Sequence, residues 1–184
     1  MVVMEDMGTP IGSYAPDFEV PGVDDQVHHL ARYMEKYQVI GVLFMGNQCP
    51  YVIELLEDLK QLQQEREPQG MTLVGMNANQ GSKNSGENFE QMKVFAQDHQ
   101  LNFPYLRDVT QDVAKSFGAT QTPELFLLNH EGRLCYRRGM TKEQSAVKQW
   151  IEDIRGAIAQ MLQGEPVTYP IPESLVGTPI QWRS

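Results

Sequence analysis

The sequence predicts an α/β domain built on a mixed central sheet flanked by helices, and three stretches carry that prediction. Val39 to Met45 is a continuous apolar run of the kind found in a central buried strand. From Pro50 onward, Val52, Leu55, Leu56, Leu59 and Leu62 recur at intervals of three and four, as on one face of a helix, and a second apolar run, Met71 to Met76, follows. Two buried strands joined by a helix run parallel under the right-handed crossover rule. Further on, Glu124 to Leu128 and Arg133 to Arg138 flank a turn at Asn129 to Gly132, which predicts a hairpin and an antiparallel edge.

The remaining elements follow in order. Tyr14 to Val20 and Val27 to Leu30 bracket the turn residues Pro21-Gly22 and Asp24-Asp25, a small N-terminal hairpin ahead of the main sheet. Leu30 to Lys36 fits a helical turn. Pro50 suits the first turn of its helix, where the missing N–H is not needed, and Pro68-Gln69-Gly70 ends it. Asn77 to Asn88 is a polar loop expected to border the site. Phe89, Met92, Phe95 and Ala96 mark another helix, Phe103 to Leu106 a short extended piece, and Val113, Ala114 and Phe117 a short helix closed by Gly118. Val147, Trp150, Ile151, Ile154, Ile158 and Met161 give a long final amphipathic helix. Pro166, Pro170, Pro172 and Pro179 then exclude regular helix. The chain therefore divides into a domain over residues 12–164 and an extended C-terminal tail over 165–184, with no internal repeat.

Composition narrows the function. The 184 residues suit one domain, and 41% hydrophobic with 21% charged side chains is ordinary soluble usage. A formal charge of -9 repels phosphate backbones and anionic lipid, which argues against nucleic acid and membrane partners. The longest apolar stretch is too short to span a bilayer, and Met1 to Asp6 lacks the basic and apolar regions of a secretory leader, so a cytoplasmic location is expected. Only Cys49 and Cys135 are present, which rules out a disulfide framework, and His28, His29, His99 and His130 are scattered. Neither metal nor cofactor is expected. The adjacent His28 and His29 read as a solvated pair.

One constellation carries chemistry. Gly46-Asn47-Gln48-Cys49-Pro50 sits where a buried strand turns into a helix, so Cys49 falls in or just before the first turn, near unpaired N–H groups and the positive end of the helix dipole. That setting favours a nucleophilic sulfur. Asn47, Gln48 and Tyr51 flank it and could bond a substrate, although helix capping is the simpler role for them.

Ala15-Pro16-Asp17-Phe18, Phe44 to Val52, Gly118 to Pro123 and the closing Gly177-Thr178-Pro179-Ile180-Gln181-Trp182 together resemble the peroxiredoxin-like branch of the alkyl hydroperoxide reductase and thiol-specific antioxidant family. The resemblance covers nearly the whole chain from about Gly12 and implies a thioredoxin fold, with Thr122-Pro123 as the cis-proline lining the site beside Gly46, Asn47, Gln48, Pro50 and Tyr51. Members usually carry Cys-Asn-x-Cys-Pro-Tyr-Val at the turn. Here Gly46 stands in the place of the first cysteine, and Thr178 in the place of a cysteine that many relatives have in a closing Gly-Cys-x-Ile motif. The peroxiredoxin threonine that orients peroxide is also absent, and Arg107, Arg137 and Arg138 are candidates for the family's arginine.

The resemblance thus implies an antioxidant or thiol oxidoreductase in which Cys49 works alone. It would take a small peroxide or thiol substrate and need an external thiol reductant. The rival is a catalytically degenerate binding or scaffold module that keeps a protein partner in the groove at Pro123. Cys135, on a strand, reads as core filler. Trp182 and the tail could pack back on the domain or on a second subunit of a homodimer, self-docking being the simpler choice.

Overall fold

The computed structural model describes residues 8–141, 146–172 and 175–184; the leader reading of Met1 to Asp6 lies outside them. The main sheet has five strands: β3 (Val39–Phe44), β4 (Met71–Asn77), β5 (Tyr105–Arg107), β7 (Glu124–Asn129) and β8 (Leu134–Gly139), in the order β5-β4-β3-β7-β8. β3 pairs parallel with β4, and β4 with β5. β3 to β7 and β7 to β8 are antiparallel, so the sheet is mixed, as the hairpin predicts. The N-terminal hairpin is β1 (Glu19–Pro21) and β2 (Val27–His29). His28 is half-buried, not merely solvated, because its ring nitrogens meet Tyr33 Oη at 2.6 Å and Asp24 Oδ1 at 2.9 Å.

Alternation along the strands divides the core in two. On one face Val39, Leu43, Leu73, Leu125 and Leu127 pack against α2 (Pro50–Arg66), α3 (Phe89–Asp98) and α5 (Ala146–Leu162), whose buried Leu59, Phe95 and Trp150 fill the space. On the other, Ile40, Val42, Phe44, Val74 and Phe126 meet α1 (Leu30–Lys36) and α4 (Asp112–Phe117) through Leu30, Ala114 and Phe117. Each face accepts one helix layer, so both sides of β3 are sealed and its six residues are all buried.

The tail is more structured than an extended strand of prolines suggests. Thr178–Pro179 forms β9, which pairs antiparallel with β6 (Gln121–Thr122). Ile180 is 4% exposed within the second core, and its N–H donates to Thr120 O at 3.0 Å. A Thr-Pro pair carries no strand periodicity, so nothing local in the sequence signals this two-residue ladder; backbone partners on β6 impose the conformation.

Among the described residues, no helix is long and apolar enough to cross a membrane. If the tail is an integral part of the fold, Ile180→Ala should lower the unfolding free energy by about 2–4 kcal/mol. Ile171→Ala, at a 42% exposed position, should leave it nearly unchanged. Equal urea midpoints for the two variants would contradict this.

Candidate functional site

The parallel strands β3, β4 and β5 all end at one edge of the sheet, and Cys49, Asn77 and Arg107 gather there because each lies at or just after a strand's C-terminus. Cys49 is the N-cap of α2, with extended backbone angles, Pro50 directly after it, and its carbonyl accepting from Ile53 N at 3.1 Å. Cys49 as a whole is 2% exposed. It makes two polar contacts: Sγ donates to Thr122 O at 3.3 Å and lies 3.2 Å from Thr178 Oγ1. The Thr122–Pro123 bond is cis, as expected, and β6 brings its carbonyl to the sulfur.

Beneath the cysteine loop sits a carboxylate that sequence reading passed over. Glu87, 3% exposed, accepts from Asn47 N at 2.8 Å, Gln48 N at 2.9 Å and Asn77 Nδ2 at 2.8 Å. Two consecutive backbone N–H groups converging on one carboxylate form an anion-holding nest, occupied here by the chain itself. The Asn47 side chain is also committed: its Nδ2 donates to Gly86 O at 2.9 Å, and its Oδ1 accepts from Tyr105 Oη at 2.7 Å. Burial, and then the Glu87 charge, push the Tyr105 phenol well above its usual range, so it remains a donor. Asn47 therefore braces the loop and does not cap α2, which has no side-chain cap at all.

Arg107 completes this layer. Its guanidinium donates to Asn79 O at 2.6 Å, Glu87 O at 3.1 Å and Asn77 Oδ1 at 3.4 Å. Burial pulls its pKa down, and the Glu87 charge opposes that. All three candidate arginines serve the frame: Arg137 pairs with Glu124 at 3.1 Å and Arg138 with Asp153 at 3.2 Å.

The geometry also explains why Gly46 suits its place. A Cβ there would stand 2.7 Å from Asn79 Nδ2 and 3.2 Å from Glu87 Oε1, so a cysteine side chain would crowd both. Cys135 lies at the other end of the sheet. Gly139 is in register with Glu124, and Glu124 with Phe44 beside the site. Cys135 is four residues back along β8, about 13 Å at roughly 3.3 Å per residue. That exceeds the Cα separation of about 7 Å that a disulfide tolerates. Cys135 is half-buried, not core filler, and lines an open cavity of ≈ 570 Å³ with His130 and Met161; burial pushes its thiol up.

The profile of the AhpC/TSA family matches residues 11–137. The chain belongs to the AhpC/TSA family. Membership supports a thiol redox role. A hypothetical protein of Sinorhizobium meliloti 1021 is 29% identical, with TM-score 0.85 over 96% of this chain and 97% of that one. The thiol-disulfide oxidoreductase ResA of Geobacillus thermodenitrificans is 26% identical over 153 residues, 82% of each chain. Peroxidoxin BcpB of Mycobacterium tuberculosis, 14% identical, superposes with TM-score 0.64 over 85% of this chain and 97% of its own, a likeness of fold. The fold is the thioredoxin fold. Among the described residues no group of three or more His, Cys, Asp or Glu side chains is arranged to hold a metal ion.

Glu87 anchors the cysteine loop, so Glu87→Ala, which strands two amides and the Asn77 side chain, should cost about 2–4 kcal/mol in urea unfolding. Glu87→Gln should cost less, because one acceptor oxygen survives. A loss for the alanine variant within error of zero would remove the carboxylate from this role.

Proposed function

We propose that this protein is a single-cysteine thiol–disulfide exchange protein whose nucleophile is Cys49, recycled by an external thiol. The observation that carries the reading is the setting of its sulfur: at the N-terminus of a seventeen-residue helix, between the Thr122 carbonyl and the Thr178 hydroxyl, while the neighbouring amides are already spent on Glu87. In exchange, the Cys49 sulfur bonds to one sulfur of a substrate disulfide, the S–S bond breaks, and the departing thiolate takes up the proton that Cys49 gives up. A second thiol then attacks the mixed disulfide and returns Cys49 as a thiol. Charge is spread over three sulfur atoms in such a step, so alignment and access matter more than a dense set of donors.

Peroxide reduction is the second reading, and family membership speaks for it. There the sulfur takes one oxygen to become a sulfenic acid, while the other leaves as an alcohol or water after gaining a proton. The charge on that leaving oxygen calls for preorganised donors, and loss of one such donor typically costs about 10²–10³ in rate. With the Asn47 and Gln48 amides bonded to Glu87, those two donors are unavailable, which favours exchange. Thr122, Pro123, Pro50 and Tyr51 would then line the approach to the sulfur.

Incubation with glutathione disulfide should give a mixed disulfide at Cys49, detected by mass spectrometry and absent in Cys49→Ser. Stopped-flow peroxide consumption should be alike for both proteins. Rapid peroxide-driven sulfenic acid formation lost in Cys49→Ser would establish the peroxidase reading instead. A Cys49 inert to both oxidants would leave the scaffold function.

A further inference from the structure

Away from Cys49, residues of the β1–β2 hairpin, α1 and α2 line a cavity of ≈ 340 Å³ together with Thr72 at the start of β4. Pockets that hold small molecules begin at roughly 300 Å³. Thr72 precedes Asn77 by five residues, about 16 Å along the strand at roughly 3.3 Å per residue, so the cavity belongs to the end of the sheet opposite the thiol.

Its charge runs against that of the chain. The protein carries 24 acidic and 15 basic side chains, yet Arg32, Lys36, His28 and His29 line this cavity with Glu67 as the one carboxylate. His28 and His29 have acidic neighbours, Asp24 at 2.9 Å and Glu19 at 3.9 Å. Arg32 and Lys36 enter none of the ion pairs formed among the described residues. Glu67 is bonded by Tyr37 Oη instead, at 3.2 Å. The two cations are four residues apart on α1 and so lie on one face, a placing of like charges that costs helix stability and that a bound anion would turn into a gain.

The rest of the lining is neutral. Tyr33 Oη meets His28 Nδ1 at 2.6 Å, and burial, then the Asp24 charge, push its phenol well above the usual range, so Tyr33 adds no negative charge. Gln63 and Thr72, both buried, satisfy each other: Gln63 Nε2 donates to Thr72 Oγ1 at 3.2 Å, and Thr72 Oγ1 donates to Leu73 O at 3.0 Å. With those polar groups spent on the protein, the tyrosine rings, Val27 and Pro104 supply apolar surface, and the unspent charged donors are the exposed heads of Arg32 and Lys36.

We propose that this cavity binds a small organic anion, its acidic group held by Arg32 and Lys36 and its apolar body covered by Tyr33, Tyr37, Val27 and Pro104. A guanidinium presents paired N–H donors that match two oxygens of a carboxylate or phosphate, and an ammonium adds a point charge beside it. A carboxylic acid and a phosphate ester share that chemistry. The site is separate from Cys49, so it stands whichever reaction the thiol performs.

The test uses the full chain. The probe is anilinonaphthalene sulfonate, an apolar aromatic body with one acidic group, read by its fluorescence. It should bind saturably at one site per chain and be displaced by phenyl phosphate or phenylacetate. Stronger displacement by the phosphate would assign the ligand as a phosphate ester, and the reverse as a carboxylate. Phenylnaphthylamine, a like body without the acid, should bind about tenfold or more weakly. Arg32→Gln with Lys36→Gln, checked for parental circular dichroism, should weaken the sulfonate about tenfold or more, whereas Lys83→Gln with Lys148→Gln, which removes the same charge elsewhere, should change it less than about twofold. In proton–nitrogen correlation spectra, phenyl phosphate should shift the amides of Arg32 to Tyr37 and of Asn102. Equal sulfonate affinity for the parent and the Arg32/Lys36 variant would overturn the site, as would equal affinity for the acidic and neutral bodies or amide shifts centred elsewhere.

Discussion

The Glu87 carboxylate is the constraint on which the rest of this site depends. It lies at the end of the polar loop after β4, yet its bonds reach back to the turn between β3 and α2, at Asn47 N and Gln48 N. With Asn77 Nδ2 as a third donor, one buried charge ties two strand ends and two loops. Charge-assisted bonds of this kind are roughly twice as strong as neutral ones. They hold the peptide planes before Cys49 in one orientation, and that orientation sets Cys49 as the N-cap of α2 with its sulfur toward β6. Tyr105 and Arg107 bond the same frame from β5, so the turn cannot shift without breaking several buried bonds together.

A frame of this kind has a chemical consequence. Backbone N–H groups beside a helix start are a ready anion site, the natural place to stabilise a developing oxyanion. In this protein the anion is built in. The arrangement gives rigidity and gives up two donors, and it sets a fixed negative charge under the loop. Sulfur-to-sulfur transfer, with its diffuse charge, tolerates that trade better than cleavage of an O–O bond.

Much of this was legible in the sequence. The apolar run of β3, the three-and-four spacing of α2 and the turn residues of the β7–β8 hairpin are local signals, and each produced the element expected. Cys49 at the strand-to-helix turn was equally visible, because Pro50 marks the first turn of a helix. What stayed hidden depends on distant pairing. Glu87 sits among Ser, Gly and Asn in a segment that reads as solvated loop, and nothing local shows that its carboxylate faces residues forty positions earlier. Thr178 lies in a proline-bearing tail without periodicity, and its strand exists only because β6 supplies partners. Asn47 suggests a cap for the same reason, since a residue near a helix start is ordinarily explained by the nearest N–H groups, whereas its partners are Gly86 and Tyr105.

The two departures from the family pattern now have different physical characters. A cysteine side chain at position 46 would require the Asn79 side chain to shift, because a Cβ there would stand 2.7 Å from Asn79 Nδ2. Position 178 is open to one, because a threonine of similar size already touches the sulfur. A thiol at 46 would have to displace the Asn79 amide, whereas a thiol at 178 would stand where the threonine hydroxyl already approaches the Cys49 sulfur. In the proposed reading, a sulfur with no partner thiol at 46 or 178 exchanges with a sulfur from another molecule, and the Thr178 hydroxyl at 3.2 Å marks the side from which the sulfur can be approached.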